Sequence, residues 1–312
     1  MASLGLLGVP SSSAAHWPGQ EKAPGALRAA GLTALLAETG HTVIDHGDRP
    51  VVRWRPHPHQ RRPHDLTRTL EVLRDARSQV AAIFRAGHIP LVFGGECTLT
   101  IAVVSAAVEA GYEVGLVYFD GGPDLRTPVD NPVGVLDSMG VAHLLDLPGS
   151  EPELAGLGTR KPLLTPDRVF SFGQSSMSPE AAGATVEDRT LGSLPSRKFG
   201  AADVARDPSA AAREAISVVT ASTDRFLVHF DVDVIDFFDL PVADVPQHNM
   251  GLTFATAMAA LTVLVRHPAF AGLIITEFNP DHGEPNGSTA RTLATGLAAA
   301  LSRRSAGATD PS

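Results

Sequence analysis

Short, continuous apolar runs recur along this chain, separated by alanine-rich stretches with helical periodicity. The runs cover residues 4–9, 42–46, 89–94, 114–120, 168–172, 226–234 and 272–278. A strand with consecutive apolar residues must be covered on both faces, which is the situation of a strand inside a parallel sheet. Helices are expected at 24–39, 66–86, 98–110, 136–145, 208–220, 253–267 and 288–302. Thr98, Thr253 and Ser288 stand where side-chain caps of three of them would be. Strand alternating with helix predicts an α/β fold, a three-layer α/β/α sandwich with a mainly parallel sheet of about eight strands.

With 312 residues, 44% of them hydrophobic, the chain is long enough for one large core, and no domain boundary is visible. We expect a single domain over residues 1–304 and a disordered tail at 305–312, with loop excursions at 53–64 and 149–166. The net charge of -9 argues against a nucleic-acid footprint and suits a soluble protein; a small-molecule substrate is the expected partner. A single cysteine excludes an internal disulfide. The apolar N-terminus reads as a first strand, not a signal peptide, and no run approaches the roughly 18 apolar residues of a membrane span. The expected location is cytoplasmic.

Acidic residues close four of the apolar runs. They are Glu96 in Gly94-Gly95-Glu96-Cys97-Thr98, Asp120 and Asp124 in Asp120-Gly121-Gly122-Pro123-Asp124, Asp231 with Asp233, and Glu277. In open parallel sheets, ligands bind at the carboxyl ends of strands. Residues two apart on an extended chain share a face, so Asp231 and Asp233 are expected to address one cation. One such pair alone is better read as a turn or cap. Both pairs together with Glu277 on one edge favour a site. Carboxylate oxygens suit hard divalent ions, and a thiolate or imidazole shifts preference toward softer ones. No Lys-Ser or Lys-Thr follows Gly94-Gly95, which disfavours a nucleotide loop.

These segments resemble the arginase/agmatinase (ureohydrolase) family over nearly the whole chain. Gly8-Val9-Pro10 and Gly19-Gln20-Glu21-Lys22-Ala23-Pro24 resemble its opening. The Gly94-Gly95 segment resembles its Gly-Gly-Asp-His-Ser motif, and residues 120–128 its Asp-Ala-His-x-Asp-x-x-Thr-Pro motif. Residues 230–236 resemble Phe-Asp-x-Asp-x-x-Asp, and Glu277-Phe278-Asn279-Pro280 resembles Glu-x-Asn-Pro. The resemblance implies hydrolysis of a guanidino or related C–N bond at a binuclear manganese centre. It implies Asp120 and Asp231 as bridging ligands, Asp124 and position 97 on the first metal, and Asp233 and position 122 on the second. Glu277 would pair with the substrate cation, and a homo-oligomer would be expected.

Two expected histidines are absent. Cys97 occupies one position, where it is either a ligand that favours zinc or iron over manganese or a small buried filler. Gly122 occupies the other and offers no donor. Metal-ligand candidates are therefore Cys97, Asp120, Asp124, Asp231 and Asp233, with zero, one or two ions left open. Asp124, Glu277 and Asp137 are the catalytic candidates, although the simpler reading of Asp137 is a solvated aspartate at a helix start. Substrate contacts are expected from Arg126, Glu277 and His143. The residues that would anchor free arginine look like Arg126, Val133 and Val135, and valines make no such hydrogen bonds, so free arginine is an unexpected substrate. His229 shares a face with Asp231 by alternation; a core histidine is the favoured reading and a replacement ligand the other.

Three functions fit. One is a hydrolase of guanidino- or amidino-type C–N bonds with a single or non-manganese metal. The second is metal-independent acid/base chemistry on the same scaffold, in specialised metabolism. The third is a non-catalytic ligand-binding homologue.

Overall fold

The computed structural model describes residues 3–56, 63–131, 133–175 and 183–302. Residues 57–62 of the expected loop excursion and the expected tail at 305–312 lie outside the described residues. The strands are β1 (Ser3–Gly8), β2 (Thr42–Asp48), β3 (Ile89–Phe93), β4 (Val114–Phe119), β5 (Val169–Gln174), β6 (Arg197–Gly200), β7 (Arg225–Asp231) and β8 (Phe270–Thr276). They form one sheet in the order β2-β1-β3-β8-β7-β4-β5-β6, and every neighbouring pair runs parallel. The α-helices are α1 (Ala23–Ala29), α2 (Leu32–Glu38), α3 (Leu66–Arg85), α4 (Leu99–Glu109), α5 (Gly140–Leu144), α6 (Pro152–Ala155), α7 (Val186–Ser193), α8 (Ala201–Arg206), α9 (Pro208–Val219), α10 (Phe254–Val265) and α11 (Ser288–Leu301).

Alternating side chains of the strands feed two cores. Leu6, Phe93, Phe119, Phe230 and Ile275 pack with Leu27, Ile216, Leu261 and Leu297 of α1, α9, α10 and α11. Leu7, Val92, Leu116, Leu227 and Ile274 pack with Leu73, Ile101, Val104 and Leu144 of α3, α4 and α5 on the other face. The architecture is thus the expected three-layer sandwich. The continuous apolar runs exist because the sheet is covered on both sides.

The differences from the sequence reading are local. The helix expected at 24–39 is two, broken at Gly31 with φ 85°, a left-handed conformation that glycine adopts without a Cβ clash. Thr253 caps α10 by accepting the Thr256 N–H at 3.2 Å. Thr98 makes no side-chain cap bond, and Gly287, not Ser288, precedes α11. β6 carries Arg197 and Lys198, and its edge position frees it from the need for an apolar run. The run at 226–234 stops being a strand at Asp231. Residues Val232–Val234 turn into a 3-10 helix, so Asp233 does not follow strand alternation.

Strand order decides where the chemistry can lie. β3, β8, β7 and β4 are consecutive neighbours, and their carboxyl ends lead into Cys97, Glu277, Asp231 and Asp120. The loop after β3 begins at Gly94, with φ 119°; a Cβ there would lie 2.8 Å from Val9 O and 2.5 Å from Pro24 Cγ. Gly94→Ala is expected to destabilise the fold by about 1–3 kcal/mol through backbone strain and overlap. Urea unfolding measures this, and an unchanged midpoint would show that the turn tolerates a side chain.

Candidate metal centre

Sγ of Cys97, a carboxylate oxygen each from Asp120 and Asp231, and a ring nitrogen of His229 lie within 4.8 Å of one another, and all four residues are buried. Cys97 Sγ lies 2.8 Å from Asp231 Oδ2 and 3.9 Å from Asp120 Oδ2. His229 Nε2 lies 3.1 Å from Asp120 Oδ2. Its other nitrogen, Nδ1, lies 2.6 Å from Thr100 Oγ1 of α4. With the ring proton on Nδ1, donated to Thr100, Nε2 presents a lone pair to the cluster. Burial pushes the His229 pKa down to about 3, so the ring is neutral, as a metal ligand must be. The ring stacks on Tyr118 at 4.1 Å between centroids because the two are direct cross-strand partners in the β4–β7 ladder.

The compact donor group differs from the expected set. It gains His229, for which the core reading was favoured, and it does not contain Asp124 or Asp233. Asp124 sits at φ 48° and accepts the Tyr118 hydroxyl on Oδ2. Asp233 accepts the Gly121 N–H on Oδ1 at 2.9 Å and gives its own N–H to Asp231 Oδ1 at 2.7 Å. Asp120 Oδ1 accepts the Gly122 N–H at 2.6 Å. A Cβ built on Gly122 would lie 3.4 Å from Asp120 Oδ1 and 3.7 Å from Asp124 Oδ1, ordinary contacts on the carboxylate side of the loop.

Three other expectations are revised. Asp137 is buried rather than solvated, and its Oδ1 accepts the Cys97 N–H at 2.7 Å, which fixes the loop carrying the thiol. Arg126 is turned to Asp130, with Nε 3.2 Å from its Oδ1 and Nη2 donating to its carbonyl at 2.9 Å. His143 is fully buried, with Nδ1 2.6 Å from Met139 O and Nε2 accepting the Glu151 N–H at 3.0 Å, so both nitrogens serve the helix and its exit. Val133 is exposed and Val135 buried.

Glu277, at φ 64°, has one oxygen occupied and one without a partner. Its Oε1 accepts Gln20 Nε2 at 2.6 Å, while Oε2 is buried without a hydrogen bond. The same Gln20 nitrogen lies 3.0 Å from Asp244 Oδ2, and Asp244 also accepts from Trp17 Nε1 at 3.0 Å and Asn279 Nδ2 at 2.7 Å. Sequence reading missed Asp244, Trp17 and Gln20 as a network. Nothing local to any of the three marks it.

The electrostatics are lopsided. Asp120, Asp124, Asp137, Asp231, Asp233, Asp244 and Glu277 are buried, and no lysine or arginine is buried among the described residues. Desolvation first, and neighbouring carboxylates second, push Asp120, Asp231 and Glu277 well above the usual carboxylate range. Asp124 is raised in the same way by burial and Asp137, against the Tyr118 hydrogen bond. Asp233 rises to about 6, and burial with the adjacent carboxylates lifts the Cys97 thiol as well. Such a group either holds protons or takes a cation. Sulfur, nitrogen and two oxygens form a donor set that fits a divalent ion.

The fold and this cluster define an α/β/α protein with a mixed-donor, metal-capable site at the carboxyl edge of a parallel sheet. Residues 2–302 match the arginase family model, and the chain belongs to that family. Arginase-1 of Sus scrofa is 28% identical over 305 residues, covering 96% of this chain and 92% of the relative. The arginase structure from Bacillus caldovelox superposes with TM-score 0.85 at 23% identity, covering 97% of this chain and 99% of that one. Formimidoylglutamase from Bacillus subtilis shares the fold with TM-score 0.71 at 18% identity, covering 96% and 86% of the two chains. No helix among the described residues is long and apolar enough to cross a membrane.

Two predictions follow from the charge imbalance. In chelator-stripped protein, Zn²⁺ is expected to raise the unfolding free energy by about 2.7 kcal/mol at a hundredfold excess over Kd, and the midpoint with it. Asp231→Asn should abolish that gain; differential scanning fluorimetry reads it, and an unaltered zinc response would remove Asp231 from the site. The second concerns pH. Carboxyls whose pKa values are raised hold protons that an ion must expel, as must the thiol, so metal affinity should rise with pH, with net proton release on binding. Calorimetry in buffers of different ionisation enthalpy measures the released protons, and none released would contradict the raised carboxyls.

Proposed function

We propose that this chain is a hydrolase of C–N bonds in cationic amidino- or guanidino-type small molecules other than free arginine. In this reading it works at a metal centre held by Cys97, Asp120, Asp231 and His229. The observation that carries it is the buried sulfur–nitrogen–oxygen donor group at the carboxyl edge of an arginase-family sheet, surrounded by carboxylates, with no lysine or arginine buried among the described residues. The softer donors favour zinc or ferrous iron over manganese. When bound, the ion supplies Lewis-acid polarisation and an acidified water.

The chain's own residues do the rest. The excess of buried carboxylates draws a cationic head group toward the sheet edge. Asp124, held through the Tyr118 hydroxyl, and Asp233, held through the Gly121 N–H, keep acceptor oxygens at the mouth of the β4 loop. A raised Asp124 carboxyl is suited to exchange a proton with a departing amine, because its protonated and ionised forms are closer in free energy near neutral pH. Arg126 is engaged by Asp130 and Val135 is buried, so neither is arranged to receive an amino acid's α-carboxylate and amine.

The test is a panel of guanidino and amidino compounds assayed for urea or ammonia release with Zn²⁺, Fe²⁺ and Mn²⁺. Turnover is expected with zinc or iron, absent from Asp231→Asn, and near background for free arginine. The double variant Cys97→His/Gly122→His should shift metal preference to Mn²⁺, since it replaces a thiol with an imidazole and adds a nitrogen donor beside Asp120 and Asp124. Absence of bound metal and of turnover across the panel would sink the reading.

A further inference from the structure

We propose that Cys97, Asp137 and Glu277 form a second divalent-cation subsite, set against the first on the β3–β8 side and sharing the Cys97 sulfur. This rests on the metal-centre reading above and extends it. A ligand atom from each of the three residues lies within 4.8 Å of the others, and all three are buried. This group is distinct from the Cys97–Asp120–His229–Asp231 group except at the shared thiol.

An acidic pair alone would not carry the inference. The independent observation is Glu277 Oε2, a carboxylate oxygen in a residue only 3% exposed, which meets no N–H or hydroxyl donor; the Asp137 carboxyl lies within hydrogen-bonding reach of Glu277, so either a shared proton or a cation must join the two. The other oxygen is oriented by Gln20 at 2.6 Å, the kind of outer hydrogen bond that fixes a ligating carboxylate. Two buried carboxyls this close are unfavourable when both are ionised, unless a cation or a shared proton lies between them.

The three ligands are also held against one another by the backbone. Glu277 N–H donates to Gly95 O at 3.0 Å, which ties the loop after β8 to the loop after β3. Cys97 N–H donates to Asp137 Oδ1 at 2.7 Å, which ties Asp137 to the same loop. The residue at φ 64° is Glu277 itself, so the chain adopts a conformation unusual for a glutamate at the point where that carboxylate enters the group. A thiolate can bridge two ions, and one sulfur with two carboxylates suits zinc, ferrous iron or cobalt.

The consequence concerns Gly122. The glycine offers no donor to an ion on the β4–β7 side. The second ion moves instead to the β3–β8 side, and Glu277 becomes a metal ligand in place of the substrate contact that family resemblance implies.

The experiment uses the full chain, stripped by chelator and titrated with Zn²⁺ by calorimetry, with elemental analysis of the loaded protein. Wild type is expected to bind two ions per chain, and Asp137→Asn and Glu277→Gln one each. One ion in wild type, as a proton shared between Asp137 and Glu277 would give, overturns this subsite and leaves the first centre standing. Two ions retained in both variants also overturn it, and no ion in wild type overturns both centres. Wild type alone gives a second reading that does not depend on the variants folding. With two Co²⁺ ions bridged by a thiolate, spin coupling should make the EPR signal of the doubly loaded protein weaker than twice that of the singly loaded form. A fully additive signal speaks against the shared sulfur.

Discussion

Uncompensated negative charge at the carboxyl edge of a parallel sheet is the constraint on which the rest of this structure depends. β3, β8, β7 and β4 are adjacent, so their ends deliver Cys97, Glu277, Asp231 and Asp120 into one buried volume. Burying carboxylates this close is unfavourable without a cation or protons, and no buried lysine or arginine is supplied among the described residues. The surrounding hydrogen bonds read as the means of holding that arrangement. Gly121, Gly122 and Asp233 N–H groups, the Tyr118 hydroxyl and the Gln20 amide each occupy one carboxylate oxygen.

Loss of the two histidines is not the loss of nitrogen donors altogether. His229 comes from within β7, two residues before Asp231, and reaches the Cys97–Asp120–Asp231 group with a neutral ring. Its position is fixed by three neighbours at once: Thr100 from α4, Asp120 from β4, and the Tyr118 ring beneath it. The compact donor group, with a thiol and a core imidazole, is softer than the donor set implied by resemblance.

The legibility of the fold followed burial. Runs covered on both faces were readable because only a parallel sheet with two helical layers makes such runs necessary, and β1, β3, β4, β5, β7 and β8 fell close to their expected bounds. β6 escaped because an edge strand can carry Arg197 and Lys198. α6 and α8 escaped because helices this short carry too little periodicity to read. Within the site, Cys97, Asp120 and Asp231 were readable from strand ends. Asp233 departs from strand alternation because the chain leaves the extended state at Asp231, and the i, i+2 rule applies only while it lasts.

The sequence by itself determined the layer architecture, the family likeness, and the sheet edge to which the acidic groups belong, because apolar periodicity and strand-end residues are local properties. Only the tertiary structure decided which donors meet. Strand order brought β3 beside β8 and β7 beside β4, which joined His229 to the cluster, turned Asp137 inward onto Cys97, and left Arg126 and His143 bound to their own surroundings. Those outcomes depend on contacts between residues far apart in the chain, which no local pattern encodes. The sequence alone posed two missing imidazoles, and the packing answered with a thiol, a core histidine and an unpartnered glutamate oxygen in one buried volume.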